Sequence, residues 1–390
     1  MAIQIRARAT AHGGSGRVLG RVTRNSVPVE VRGDYLRVVP VDQADTDDLT
    51  GYVAVLFEGT PARELTEGCI TGYDSLDFLH DDYVVAVDMG NGFTRVLYRP
   101  ESLHNAIFAT ERCNSNCIMC SQPPRDVDDS DLVAEHLRLI DLIPAPPARL
   151  GITGGEPTLF KDELVQIIAR LKERFPETPL TMLSNGRMYA YEEFVEKLAA
   201  IGHTDFFTSI PLYANNAADH DFIVQAKGAF DQTIQGLYNA AKHGLAVEIR
   251  VVLHKQTIPG LPALAEFIYR NLPFVRHVAL MGLENMGYVK KNWDLVWIDP
   301  VDYAETLETT VRHLFHRRIA VSLYNLPLCV LPSSLWGFAR QSISDYKNIY
   351  LDACAECGVR EHCSGLFASS ETRHSRGIKA LTLPTPMEAI

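Results

Sequence analysis

The sequence predicts an α/β fold, and two observations carry that prediction. Short β-rich runs alternate with helical periodicity about six times along the middle of the chain, at 106–109, 150–153, 180–183, 205–210, 246–253 and 277–280. The strands are also close to continuously apolar. Val247, Ile249, Val251, Val252 and Leu253 suit a strand covered on both faces, as in a parallel sheet with crossover helices. Helical patterns separate the runs: one after an N-cap at Ser130, then 161–175, 191–201, 228–243 and 261–271. Six such units are too few for a closed eight-stranded barrel.

The first hundred residues differ in kind. Up to Arg32 there are six arginines against one acid, Glu30, whereas residues 33–88 carry thirteen acids and two arginines. That shift marks a separate accessory unit over 1–100. Runs at 52–58, 83–89 and 93–98 alternate in the β manner, and Asn91-Gly92 predicts a tight hairpin between the last two. The unit reads as a small β-rich domain packed on the α/β region. It either caps the bottom of that region or grips a peptide by adding a strand to an exposed sheet edge. The remaining boundaries fall at 101–324 for the α/β region, 325–370 for a cysteine-rich unit and 371–390 for a tail.

Three cysteines stand in the run Cys113-Asn114-Ser115-Asn116-Cys117-Ile118-Met119-Cys120, between the first strand and the first helix. Thiolates at that spacing wrap one face of a cubane [4Fe-4S] cluster, whose full protein ligation takes four cysteines, and so leave one iron open. With eight cysteines in 390 residues the spacing is a strong signal. Structural zinc is the alternative; it calls for a closed tetrahedral set, and no matching second half lies nearby. The second strand runs into Gly154-Gly155-Glu156-Pro157. Two glycines allow close approach of the backbone to a ligand, and the Glu156 carboxylate suits an ammonium group. Taken alone, the tetrapeptide fits an ordinary strand-to-helix turn.

Together, the CxxxCxxC loop and the GGEP turn resemble the radical S-adenosylmethionine (SAM) superfamily. The resemblance implies a partial (β/α)6 TIM-like barrel with an open side. It also implies that Cys113, Cys117 and Cys120 hold a SAM-binding [4Fe-4S] cluster, with the amino and carboxylate groups of SAM on the open iron and Gly154, Gly155 and Glu156 alongside. One electron then cleaves the sulfonium to a 5′-deoxyadenosyl radical. Where the family usually has an aromatic residue before the third cysteine, Met119 stands, and a thioether can pack on the adenine face. Ser184 and Asn185, in Ser184-Asn185-Gly186, and Arg250 occupy strand positions that the family uses for ribose and carboxylate contacts. A polar turn and a structurally paired arginine fit those residues as well.

A second set, Cys329, Cys354, Cys357 and Cys363, can close a cluster or a zinc site, since four thiolates suit both metals. Cys69 is left over as a buried thiol. In superfamily members that modify peptides, a comparable SPASM or twitch extension holds an auxiliary [4Fe-4S] cluster. The runs Cys113 to Pro124, Met281-Gly282-Leu283-Glu284-Asn285-Met286-Gly287-Tyr288, Pro327-Leu328-Cys329, Leu335-Trp336 and Ser342 to Asn348 resemble the C-type radical SAM maturase of the His-Xaa-Ser system. That resemblance implies a ribosomally made precursor peptide as substrate, a partner radical SAM enzyme, and a ferredoxin- or flavodoxin-type reductant protein. The alternatives are a radical SAM enzyme on a small metabolite and a non-catalytic iron-sulfur scaffold or partner subunit.

Composition narrows the classes further. The net charge of −11 argues against sequence-independent nucleic-acid binding. No apolar stretch reaches the roughly 20 residues that cross a bilayer, and the arginine-rich start lacks the apolar core of a secretion signal. Free thiols and oxygen-sensitive clusters point to the cytoplasm.

Overall fold

A computed structural model describes residues 4–40, 48–62, 64–65 and 67–382. Residues 383–390 of the expected tail lie outside it. The N-terminal strands are β1 (Arg6–Arg8), β2 (Thr10–His12), β3 (Arg17–Thr23), β4 (Tyr35–Val39), β5 (Ala54–Glu58), β6 (Cys69–Tyr73), β7 (Val84–Asp88) and β8 (Phe93–Tyr98). They form one sheet in the order β1-β8-β7-β3-β4-β5-β6-β2. Its two ends are a single residue apart in sequence. Arg6 to Arg8 pair antiparallel with Arg95 to Phe93, and Thr10 to His12 pair antiparallel with Thr71 to Cys69. One extended segment therefore bridges both ends and closes the sheet into a barrel.

Closure explains the alternation read from the sequence. Leu36, Val38, Leu56, Ile70, Val85 and Val87 point inward to a core of their own, while their neighbours face out. It also narrows one expectation: the two end strands are three residues each and joined through Ala9, which leaves only short edges for strand addition. This unit does not cap the bottom of the α/β region. Leu19, Val84, Ala86 and Tyr98 share an apolar cluster with Leu139 and Ile140 of the first helix. Arg17 pairs with Glu135 at 2.8 Å and Arg138 with Asp34 at 2.7 Å. The barrel thus sits at the side, against that helix.

The α/β region follows as β9 (Ala106–Phe108), α1 (Leu132–Leu142), β10 (Leu150–Thr153), α2 (Asp162–Arg174), β11 (Leu180–Leu183), α3 (Glu192–Ile201), β12 (Phe206–Pro211), α4 (Ala217–Val224), α5 (Ala229–Lys242), β13 (Ala246–Leu253), α6 (Leu261–Asn271), β14 (His277–Gly282), α7 (Trp293–Val296), α8 (Ala304–His316), β15 (Val321–Tyr324) and β16 (Ala339–Arg340). All eight strands are parallel and lie in sequence order from β9 to β16, with the two ends unpaired to each other. The expected partial barrel is therefore present, and two short strands extend it beyond the six units. A small C-terminal hairpin pairs β17 (Asn348–Ile349) with β18 (Leu366–Phe367).

Register divides the strands into two faces, because directly paired residues point the same way. Ile107, Ile152, Met182, Ile249, Val278 and Leu323 are buried under the helices. α2, for example, presents Leu164, Ile167, Ile168 and Leu171, the three-and-four spacing of one helical face. The opposite, lumen face carries Phe108 and Thr153, then Ser209 opposite Glu248 opposite His277, and Arg250 opposite Ala279 opposite Ser322. The apolar look of β13 hides two charged residues that share this face.

The turn between β7 and β8 runs over Met89 to Gly92 and includes the Asn91-Gly92 pair at which a tight hairpin was expected. The Asp88 carboxylate accepts from the backbone of Gly90 and Asn91. Gly92 has φ +67°, and a Cβ there would lie 1.9 Å from the carbonyl oxygen of Ala9, the residue that joins β1 to β2. We expect Gly92→Ala to destabilise the protein by about 2 kcal/mol or more, read from the midpoint of urea unfolding. An unchanged midpoint would contradict the tight barrel seam.

Candidate functional site

The cysteine loop leaves the C-terminal end of β9, the end of a parallel barrel where ligands collect. Its path is fixed by backbone and side-chain contacts from five directions. The turn after β10 zips onto its start: Gly155 N–H donates to Thr110 at 2.7 Å and Glu156 N–H to Arg112 at 2.8 Å. Asn116 and Ile118 donate to Val224 and Ile223 at the end of α4, both at 3.0 Å. Tyr288 N–H reaches the Cys120 carbonyl at 2.9 Å, and the Asn292 amide reaches that of Ile118 at 2.7 Å. Arg187 holds the Asn114 carbonyl and the Ser115 hydroxyl. Asp129 receives Thr110 and Arg112.

The glycines serve this zip. A Cβ on Gly155 would lie 2.1 Å from the Arg112 carbonyl oxygen, and one on Gly154, whose φ is +152°, would lie 2.7 Å from that of Thr110. The close approach read from the sequence is thus to the cysteine loop itself.

Glu156 differs from its expected role. Its side chain is completely buried, and its carboxylate accepts from the Thr158 N–H at 3.1 Å, the Thr158 hydroxyl at 2.5 Å, the Ser184 hydroxyl at 2.7 Å and the Asn185 N–H at 2.6 Å. Burial raises its carboxyl pKa, and these four donors oppose the rise. A carboxylate so enclosed holds the ends of β10 and β11 together and presents no oxygen to an ammonium group. Ser184 shares that enclosure and also accepts from the Gly186 N–H at 3.1 Å. Met119 lies in the main apolar core.

Asn185 and Arg250 are placed nearer the lumen. The Asn185 amide donates to Asn114 at 2.6 Å and lies 3.9 Å from the Cys113 sulfur. Arg250 directs two N–H groups at the Met281 sulfur, at 2.9 and 3.1 Å, and stands 3.9 Å from Glu248. A thioether is a weak acceptor, so among the described residues the anionic partner of this guanidinium is Glu248, at 3.9 Å. Beneath it runs a chain that the sequence reading missed. Glu248 accepts from Ser209 at 2.7 Å and pairs with His277 at 2.7 Å, and the far imidazole nitrogen meets Ser322 at 3.0 Å. Burial alone would raise the Glu248 carboxyl, but His277, Arg250 and Ser209 together hold it below the ordinary range. Glu248 and Arg250, two apart in an otherwise apolar strand, were the available signal.

The donor set at the loop fits a cluster. Burial, with Glu156 and Cys120 adding to it, raises the Cys113 thiol to about 11; burial with the other two cysteines raises Cys117 to about 12, and burial raises Cys120. Three half-buried thiols that repel one another's charge ionise when a cationic metal group takes them up. At the other end of the chain Cys329, Cys354, Cys357 and Cys363 line one void of about 10 Å³. Leu328 N–H lies 3.4 Å from the Cys363 sulfur and Leu381 N–H 3.4 Å from that of Cys357. This donor set fits a four-thiolate metal. The unit packs on the ends of β13 to β15, since Leu253, Gly282 and Asn325 share a cavity wall with Leu366, Phe367 and Ser375. Among the described residues no helix is long and apolar enough to cross a membrane.

Residues 107–268 match the family model of the Radical SAM superfamily. An Fe-coproporphyrin III synthase of Methanosarcina barkeri is 27% identical over 162 residues, covering 41% of this chain and 39% of that protein. A GTP 3′,8-cyclase of Rhodococcus opacus is 29% identical over 185 residues, covering 45% and 50%. The chain thus spans half or less of either relative's length. A solved structure described as native anSMEcpe with bound AdoMet and Cp18Cys peptide superposes with a TM-score of 0.42 at 16% identity, over 55% of this chain and 62% of that one.

Two predictions follow from the geometry. Glu156→Gln should lower stability by about 2–4 kcal/mol, because it turns an acceptor into a donor among buried donors. Iron content after reconstitution should fall in parallel. A variant of parental stability that had lost only SAM affinity would restore the ammonium role instead. The second concerns His220, which stacks on Tyr213 at 5.9 Å; burial pulls its pKa down to about 4. A value below the unfolded one means a stabilising contribution present above pH 6.5 and lost as the pH falls toward 4. Urea titrations of His220→Gln should therefore lose up to about 3 kcal/mol less than the parent over that span. Parallel curves would contradict it.

Proposed function

We propose that this protein, whose residues 107–268 match the Radical SAM superfamily model, reductively cleaves SAM and directs the resulting radical at a substrate held in the lumen of the partial barrel. The observation that carries the reading is the convergence of Cys113, Cys117 and Cys120 on a loop zipped to the Gly154-Gly155-Glu156 turn. A [4Fe-4S] cluster bound there would supply the electron that breaks the sulfonium bond of SAM to give methionine and a 5′-deoxyadenosyl radical. The protein's part is placement. Asn185 sits beside the Cys113 sulfur, the backbone of Gly154 and Gly155 supplies the carbonyls that Glu156 does not, and Arg250 is the cation for a carboxylate. Ser209, Glu248, His277 and Ser322 give the lumen floor hydrogen-bonding groups that fix a polar substrate in one orientation.

For the substrate we favour a small metabolite. The named relatives are an Fe-coproporphyrin III synthase and a GTP 3′,8-cyclase, similar over 162 and 185 residues, and the superfamily model matches 107–268, which includes the cysteine loop. A precursor peptide of the His-Xaa-Ser type is the second reading. It is favoured by the four-cysteine unit at the rim of the strands, which would hold an auxiliary cluster, and by the sequence resemblance around Met281 to Tyr288. A partner radical enzyme and a ferredoxin- or flavodoxin-type reductant go with that reading. The Tyr288 segment now has a separate explanation, because it anchors the Cys120 carbonyl.

Anaerobically reconstituted protein, given SAM and dithionite, should release 5′-deoxyadenosine. The triple change of Cys113, Cys117 and Cys120 to alanine should abolish release while leaving the absorbance of any metal held by the C-terminal cysteines. Intact clusters with no deoxyadenosine would sink the enzyme reading and leave the scaffold. Mass spectrometry of a co-expressed precursor peptide separates the two substrate classes.

A further inference from the structure

Through its described residues, the tail expected over 371–390 is a bound strap that joins the two thiol sites. At one end the Asn285 amide donates to the Arg373 carbonyl at 2.6 Å, and the Arg373 guanidinium lies 3.5 Å from the centre of the Trp293 ring. In the middle, the Ser375 hydroxyl and the Arg376 N–H donate to the buried Asp299 carboxylate at 2.5 and 3.0 Å. Gly377 then passes a gap with no room for a side chain, since a Cβ there would lie 2.6 Å from a Val301 methyl. At the other end Ile378 and Lys379 form part of the wall around the void lined by Cys329, Cys354, Cys357 and Cys363.

Two of those four sulfurs receive backbone N–H groups from the strap. Leu381 N–H lies 3.4 Å from the Cys357 sulfur, and Lys379 N–H bonds to that of Cys329. Gly358 N–H donates back to the Leu381 carbonyl at 2.8 Å. A neutral thiol is a weak acceptor, whereas a metal-bound thiolate carries charge and accepts such groups more strongly. The hold at this end therefore tightens with the charge on the sulfurs. The opposite end bears on the cysteine loop. Asn285 and Trp293 bracket a segment in which Tyr288 N–H donates to the Cys120 carbonyl and the Asn292 amide to that of Ile118. A Cβ on Gly287, within the same segment, would lie 2.3 Å from the Cys120 carbonyl oxygen.

We propose that residues 373–381 are a metal-locked strap: Lys379 and Leu381 are fixed when the four C-terminal cysteines carry a metal, and the strap then steadies segment 285–293 against the loop of Cys113, Cys117 and Cys120. Such coupling is reciprocal, so the strap raises the metal affinity of the four cysteines by the factor by which the metal tightens the strap. The C-terminal unit thereby acts on the first thiol site without touching a substrate. This goes beyond the function proposed above, because the lock needs neither SAM nor a radical.

The test uses the full-length chain with Cys113, Cys117 and Cys120 changed to alanine, so that added zinc, a metal suited to four thiolates, reports on the C-terminal set. Zinc affinity is read by competition with a chromophoric chelator, and amide hydrogen exchange by mass spectrometry. Zinc should slow exchange over 285–293 relative to chelator-stripped protein. Deleting residues 379–390 should weaken zinc binding about tenfold or more, as loss of groups that support metal ligands does, and should abolish the slowing even at saturating zinc. Leu381→Pro removes one N–H and keeps the rest of the strap, so it should show both effects in smaller degree and reads the coupling if the shortened chain fails to fold. Unchanged zinc affinity in Leu381→Pro, or bound zinc that leaves exchange over 285–293 unaltered, overturns the inference. Deoxyadenosine release by the parental protein tests the proposed function separately and is untouched by either outcome.

Discussion

The active end of the molecule depends on one buried carboxylate. Removing Glu156 from water costs several kcal/mol, and that cost is met only while its donors are all in place, each bond to a charged acceptor contributing roughly 1.5–3 kcal/mol. Its four donors come from the turn after β10 and the end of β11. The backbone of the same residue donates to Arg112, one position before the first cysteine of the loop. The carboxylate thus ties two strand ends together and its N–H passes that placement on to the thiols. A site built this way is close to all-or-none, since losing one donor leaves the charge under-solvated and loosens the loop at once.

The N-terminal barrel is joined to this end by chemistry of a different kind. Its closure is a backbone matter, resting on a seven-residue segment that changes partners at Ala9 and on a glycine with no room for a side chain. Its docking is mixed: an apolar patch on β3, β7 and β8 against α1, with arginine pairs at the margin. Exposed pairs of that sort contribute little, from about 0 to 1 kcal/mol each, so the apolar patch holds the two parts together.

Much of this was legible in the sequence, for identifiable reasons. Strands β10 and β11 and helix α6 fall where periodicity put them, and α2, α3 and α5 within a residue or two at each end, because buried parallel strands and amphipathic helices leave strong local patterns. The cysteine loop was legible because its chemistry needs fixed spacing. Barrel closure was not, since it depends on β1 and β2 finding partners some sixty to ninety residues away, and no local pattern encodes that pairing. Strand β15 and its two-residue successor β16 were missed because short strands carry little period. Glu156 was read from its motif as a ligand group, whereas tertiary burial turned its side chain inward. The lumen chain of Ser209, Glu248, His277 and Ser322 lies on four separate strands and becomes visible only when register aligns them.

That chain also sets the behaviour of Arg250. At 3.9 Å from Glu248, and with an effective dielectric of about 20, the attraction between the two charges is about 4 kcal/mol before desolvation. This is enough to orient the guanidinium, yet too long a contact for a bidentate pair. Glu248 meanwhile spends its shortest contacts on His277 and Ser209, both at 2.7 Å. Had Glu248 closed on Arg250, the cation would be neutralised; had it been absent, the cation would stand half-buried against a thioether with nothing to steer it. The intermediate arrangement leaves Arg250 oriented but free of a close ion pair. The polarity of the lumen therefore runs from a carboxylate and imidazole deeper in the barrel to a guanidinium nearer the C-terminal ends of the strands, a gradient that favours an anionic group bound at that end over one bound deep in the barrel.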